Sequence, residues 1–260
     1  MNRLVVLLLV VASTVGCSAP SSEPTERQLV IFAAASLRDV MTDISAAWVA
    51  TGHVEPAYNF AGSNVLAQQL LAAPSADLYL SAHEDWMDRL ETAERVRADT
   101  RTVVAGNTLV LVAHRDAPSW TLDDPATLGD LPFRHLVIGD PEAVPAGIYA
   151  RHVLSAVPTE DGSTLWTRLQ DRLIPTSDVR AALAQVAAEP EALGIVYGTD
   201  ARSDPRARVL YTFPTELTPP IHYPAAVVSE RPDDLADTFL AFLQSETVRE
   251  IFVEHGFSTF

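Results

Sequence analysis

Short apolar runs alternate with amphipathic stretches along this chain from Gln28 onward. Leu29 to Ala33 reads as a buried strand, and Leu37, Val40, Met41, Ile44 and Trp48 then recur at helical spacing, predicting a one-faced helix after Ser36 that ends at Gly52. The alternation continues with a strand at Val54 to Phe60, a helix opening at Ser63, a strand at Asp77 to Ser81 and a helix through Trp86, Met87 and Leu90. Strand-like Val103-Val104 and Leu109 to Ala113 flank Gly106-Asn107, which reads as a bend. After a Pro-rich acidic stretch, a strand is expected at Leu136 to Gly139, followed by a helix that Pro145 can begin because the first turn does not need its missing N–H. A helix through Val179, Leu183 and Val186, strands at Gly194 to Tyr197, Val209 to Phe213 and His222 to Ser229, and helices over Leu235 to Phe252 complete the pattern. Strands and helices in alternation predict an α/β protein with largely parallel sheets, and the length favours two lobes.

The first residues follow another logic. Met1-Asn2-Arg3 gives a positive start, Leu4 to Ala12 is apolar, and small residues follow to Gly16, which is the layout of a secretory signal. Nine apolar residues are far fewer than the roughly 20 a membrane-spanning helix needs. Ser13 to Cys17 resembles the cleavage box of bacterial lipoproteins, although Thr14 stands where Leu is usual. Residues 1–16 are therefore expected to be a lipoprotein signal peptide, Cys17 the lipidated residue, and the polar, Pro-rich 17–27 a flexible tether.

Composition narrows the function. The 260 residues carry 34 acidic and 18 basic side chains, a formal charge of -16, and all the basic ones are Arg. Such a balance disfavours a phosphate-neutralising nucleic-acid binder. One Cys excludes an internal disulfide framework and a Cys-based zinc site. No G-x-S-x-G elbow, P-loop, G-x-G-x-x-G or H-E-x-x-H is present, and the seven His are scattered without helical i, i+4 pairs.

What does recur is a small or hydroxyl-bearing residue where a strand gives way to a helix: Ala35-Ser36, Gly62-Ser63, Pro145-Ala146-Gly147 and Ser177-Asp178-Val179. Helix starts leave N–H groups unpaired and carry partial positive charge, so several of them facing one cleft would hold an anion without a cationic side chain. Taken singly, each Ser or Asp reads as an ordinary N-cap.

Several blocks together go further. Phe32-Ala33-Ala34-Ala35-Ser36-Leu37, Phe60-Ala61-Gly62-Ser63, Ala76 to Ala82 with Trp86-Met87, Gly139 to Glu142 with Val144 to Ala150, Asp178-Val179-Arg180 and Leu193 to Gly198 resemble, in order, the periplasmic molybdate-binding proteins of ABC transporters, over about Leu29 to Phe260. The resemblance implies a two-lobed periplasmic-binding-protein fold of type II, with two crossovers between the lobes and a ligand cleft between them. Lobe one would be 28–106 plus 225–260, lobe two 107–224, with hinges near Gly106 and Pro224. Carried over position by position, it implies an oxyanion held by Ser36, Ser63, Ala146, Val179 and Tyr197, with molybdenum present only inside that oxyanion. Gly62 and Asn64 depart from the pattern, standing where Ser often occurs.

The same resemblance implies no catalysis and no cofactor, a molybdate and tungstate ligand, delivery to an ABC permease and its cytoplasmic ATPase, and a monomer outside the membrane held by its lipid anchor alone. Chemically the set is coherent, because a fully ionised tetrahedral dianion only accepts hydrogen bonds. Ser36, Ser63 and Tyr197 offer hydroxyls; Ala146 and Val179 can act only through backbone N–H. Arg180 is expected to turn away from the ligand, Asp178 to cap a helix or pair across the lobes, and Asp77, Asp140 and the four Trp to be structural. Alternatives are a receptor for sulfate or another tetrahedral oxyanion, and a hydrolase with Ser36 or Ser63 as nucleophile, which would need a His within hydrogen-bond reach.

Overall fold

The computed structural model describes residues 27–228 and 234–260. Residues 1–16, Cys17 and all of the expected tether but Arg27 lie outside the described residues. The strands are β1 (Val30–Ala34), β2 (Ala57–Ala61), β3 (Leu78–Leu80), β4 (Thr102–Asn107), β5 (Leu109–His114), β6 (His135–Gly139), β7 (Leu173–Thr176), β8 (Ala192–Tyr197), β9 (Ala207–Thr212) and β10 (Ile221–Val227). Among them run helices α1 (Arg38–Ala50), α2 (Ser63–Ala72), α3 (Glu84–Thr92), α4 (Pro145–Ala156), α5 (Leu165–Leu169), α6 (Val179–Val186), α7 (Gly198–Ser203), α8 (Asp234–Leu243) and α9 (Glu246–Glu254).

The strands form two five-stranded sheets, ordered β2-β1-β3-β10-β4 and β7-β6-β8-β5-β9, each the centre of one lobe. The expectation of largely parallel sheets needs qualification. In each sheet three neighbours are parallel, but β10 in the first and β5 in the second run antiparallel to both strands beside them. Those two strands lie next to the places where the chain changes lobe. Thr108 alone separates β4 of the first sheet from β5 of the second, so Gly106-Asn107 closes a strand rather than forming a bend, with Asn107 paired to Ile221. The return to the first sheet comes at Ile221, and Pro224 falls inside β10, where the pairing with β4 shifts register.

Side-chain alternation along β1 shows how the first sheet is covered. Ile31 and Ala33 point to a large core with Val40, Met41, Trp48 and Phe239, whereas Phe32 points the other way, to Leu66, Tyr79, Trp86 and Leu90. A fully buried apolar side chain of this size contributes about 1.5–3 kcal/mol, so helices on both faces are needed to shelter this sheet. Three elements escape the sequence pattern for physical reasons: β7 is a short edge strand containing Pro175, and α5 and α7 are too short to display a period.

Candidate functional site

The strand-to-helix junctions singled out in the sequence lie at the carboxyl ends of parallel strands, where α/β proteins bind ligands. After β1 the chain makes a single 3-10 turn over Ala35–Leu37 that runs into α1, and after β2 Gly62 precedes α2. From the other lobe, Val144 and Pro145 start α4 after β6, Asp178 caps α6 after β7 through a 2.9 Å bond from the Ala181 N–H, and Tyr197 ends β8. One small cavity gathers these ends: Ala35, Ser36, Gly62 and Ser63 from the first lobe, Ala146, Asp178, Val179 and Tyr197 from the second. All five residues expected to contact an oxyanion line it, each only 1% to 4% exposed, so an anion seated there would be held by protein rather than water.

The hydroxyls are arranged as donors. Ser63 Oγ accepts the Ala82 N–H at 3.0 Å, and its hydroxyl keeps a proton that it can donate. Ser36 Oγ lies 3.0 Å from the Tyr223 hydroxyl. Tyr197 Oη is buried and has no hydrogen-bond partner among the described residues. Its ring is wedged edge-on between Tyr149 and Tyr223, with centroids 6.5 and 6.1 Å away, so the hydroxyl is aimed by packing. Burial drives the Tyr197 pKa well above the ordinary phenol value, keeping the group protonated and able to donate.

Charge is handled away from the cavity. Arg180, next to Val179, turns from it: Nη2 pairs with Asp39 of α1 across the cleft at 2.7 Å, and Nη1 donates to Ser203 Oγ at 2.8 Å. Its Nε lies 2.5 Å from Asp200 Oδ1, a contact aligned as an ion pair rather than as a good hydrogen bond. Asp200 is fully buried; burial pushes its pKa up to about 6 against the opposing pull of Arg180. Asp77 bonds the Val30 N–H and Arg27, and Asp140 holds the turn at Glu142, both structural roles. Among the described residues no group of three or more His, Cys, Asp or Glu gathers to hold a metal ion.

Further contacts join the lobes, among them Arg180 Nη2 donating to the Ser36 carbonyl at 3.4 Å. Trp86 Nε1 donates to the Ala143 carbonyl at 2.9 Å, and the His83 and Tyr149 rings meet at 5.0 Å. A Cβ on Gly62 would lie 2.8 Å from the Ser177 carbonyl oxygen, so the departure from Ser at this position lets the two backbones approach. Gly147 likewise has no room for a side chain against the Gly139 carbonyl, which fixes α4 on the end of β6. His83 has its Nδ1 occupied by the Asp85 N–H, capping α3, a role usually given to Ser or Asp. Sequence reasoning missed Tyr223 and Asn107, which touch the site only through contacts more than a hundred residues apart. The one local signal was the pairing of Asn107 with Gly106, which reads as a bend.

Residues 29–258 match the family described as bacterial extracellular solute-binding protein. A molybdate-binding protein, ModA, of Escherichia coli (strain K12) is 36% identical over 236 residues, covering 90% of each chain. Among solved structures, the periplasmic molybdate-binding protein of Azotobacter vinelandii superposes with a TM-score of 0.77 at 18% identity, covering 88% of this chain and 98% of that one. The sulfate-binding protein SubI of Mycobacterium tuberculosis H37Rv superposes with a TM-score of 0.74 at 17% identity, covering 89% and 86%. The two structures establish the shared two-lobed α/β fold.

Proposed function

The chain belongs to the bacterial extracellular solute-binding proteins, and from that membership we propose that it captures molybdate between its lobes and delivers it to an ABC transporter. The observation that carries this reading is the convergence, from both lobes, of donors with no cation among them: the hydroxyls of Ser36, Ser63 and Tyr197 and the helix-start amides of Ala146 and Val179. Four helix starts direct partial positive charge at the same space. A hydrogen bond to a charged partner contributes about 1.5–3 kcal/mol net, so five of them supply roughly 7–15 kcal/mol against the cost of association.

Tungstate, nearly the same size and equally ionised, belongs to the same ligand class in this reading. The protein acts as a binder without a reaction or cofactor, outside the membrane, tethered as a lipoprotein through Cys17 over residues 17–27 after loss of 1–16, and as a monomer. Its partners are an ABC permease and the ATPase behind it. The expected division into 28–106 with 225–260 and 107–224 moves by a few residues in this reading: Asn107 and 221–224 belong to strands of the first sheet and go with lobe one, and the closing motion takes place around Thr108 and ahead of β10.

Sulfate is the competing ligand, because SubI shares the fold and sulfate is also a fully ionised dianion. Titration calorimetry with molybdate, tungstate, sulfate and phosphate tests the reading, with molybdate and tungstate expected to bind and sulfate to bind far more weakly. Tyr197→Phe is expected to weaken molybdate by about 1.5–3 kcal/mol, or ten- to 150-fold. A preference for sulfate, or no response to any of the four, overturns it.

A further inference from the structure

The Asn107 side chain sits where β4 hands over to the second lobe, and every hydrogen-bonding group on it is used. Its Oδ1 accepts the Thr108 N–H at 2.9 Å, which fixes the orientation of the amide. Nδ2 then donates one proton to Thr199 Oγ1 of the second lobe at 2.9 Å and the other to Tyr223 Oη on β10 at 3.1 Å. Tyr223 is fully buried, and its oxygen is already accepting. Ser36 Oγ lies 3.0 Å away, a contact in which either hydroxyl could donate; because Tyr223 already accepts from Asn107, its proton is the one best placed to be shared with Ser36. In that arrangement the Ser36 proton is free to turn into the cavity.

Resting on the reading of this cavity as an oxyanion site, we infer that Asn107 and Tyr223 are specificity-determining positioning residues: they bias a hydrogen-bond chain so that Ser36 turns its proton to the ligand. The chain begins at a backbone N–H, which cannot reverse, so the Asn107 amide is held with its donors toward Thr199 and Tyr223. Ser63 is polarised in the same way by the Ala82 N–H. A cavity whose serine hydroxyls are turned to donate disfavours an anion that carries a proton, because that proton would find fewer acceptors there. Discrimination between a bare dianion and a protonated one of equal charge is thus set partly from the lobe crossover, through residues that touch no ligand.

The test compares hydrogen phosphate with sulfate, two dianions of equal charge and similar size, under mildly alkaline conditions, with molybdate as reference. Asn107→Asp replaces the donor by an acceptor, which reverses the chain: Tyr223 donates to the new carboxylate, Ser36 to Tyr223, and Ser36 meets the ligand as an acceptor. The added charge repels all dianions alike and cancels in the ratio. Calorimetry is expected to show molybdate weakened at least tenfold and the hydrogen phosphate to sulfate affinity ratio raised at least tenfold. Tyr223→Phe, which keeps the buried ring, leaves Ser36 free to rotate and is expected to raise the ratio less, about threefold. A ratio that stays at the wild-type value in the folded variants, even with molybdate weakened, overturns the inference and makes both residues merely structural. Failure of the wild-type protein to bind any of the three anions instead overturns the oxyanion reading itself, which the variants do not address.

Discussion

Two cavities share Ser36 as a wall, and they treat charge in opposite ways. The first, between the lobes, is lined by hydroxyls, helix-start amides and small apolar residues, with no cationic side chain and one carboxylate, Asp178, whose Oδ1 caps α6. The second, on the other side of Ser36, is wider and lined by Asp39, Arg180, Arg202, Glu254 and His255. In that second space Arg180 is taken by Asp39 and Asp200, and His255 Nε2 lies 2.7 Å from Asp43. A dianion would reach Arg180 or His255 there only by breaking pairs that already exist. In the first it would find hydroxyls and helix-start amides able to donate to it. The contrast teaches that hydrogen-bond donors and positive side chains are kept in separate spaces on the two sides of Ser36.

The comparison breaks most visibly if Arg180 proves to be the counter-ion after all. Arg180→Met leaves the fully buried Asp200 without its cation, and removing one partner of a buried pair costs about 3–5 kcal/mol. The expected outcome is a large drop in melting temperature, measured by calorimetry, with molybdate affinity reduced far less than stability; the reverse order would restore Arg180 to the site. Val179→Pro probes the other cavity. Position 179 is the first residue of α6, where proline is tolerated, and Asp178 before it is extended, so the substitution deletes one N–H and little else. Molybdate affinity is expected to fall about ten- to 150-fold with an unaltered circular dichroism spectrum.

Acidity sharpens the contrast by a smaller effect. Native Asp200 keeps its proton up to about pH 6, whereas unfolding returns it to the ordinary carboxylate value of 3.8. The native state therefore binds the proton more tightly, and the stability this confers is complete below the lower value and lost as pH rises through about 6. Melting curves of the wild type and Asp200→Asn between those limits should show the wild type losing stability relative to the variant as pH increases. A constant offset between them would mean that Asp200 stays ionised throughout.

How much of this was legible in the sequence depended on distance along the chain. Ser36, Ser63, Ala146 and Val179 stood out because each sits at a strand-to-helix junction, which a local change of hydrophobic period reveals. Tyr197 entered only through resemblance, since a Tyr closing a buried strand looks like any other core residue. The outward turn of Arg180 followed from helix geometry, but its partners Asp39 and Asp200 lie in two other helical segments and could not be read from a pattern. The donor chain from Thr108 to Ser36 was invisible for the same reason, since Ser36 and Tyr223 are 187 positions apart. The antiparallel β5 and β10 were hidden too, because apolar runs reveal burial and say nothing of direction.

The bare Cα of Gly62 has one more consequence. Since an added Cβ would fall 2.8 Å from the Ser177 carbonyl oxygen, even one methyl group at position 62 would act as a wedge between the two halves of the clamshell and prop its mouth ajar.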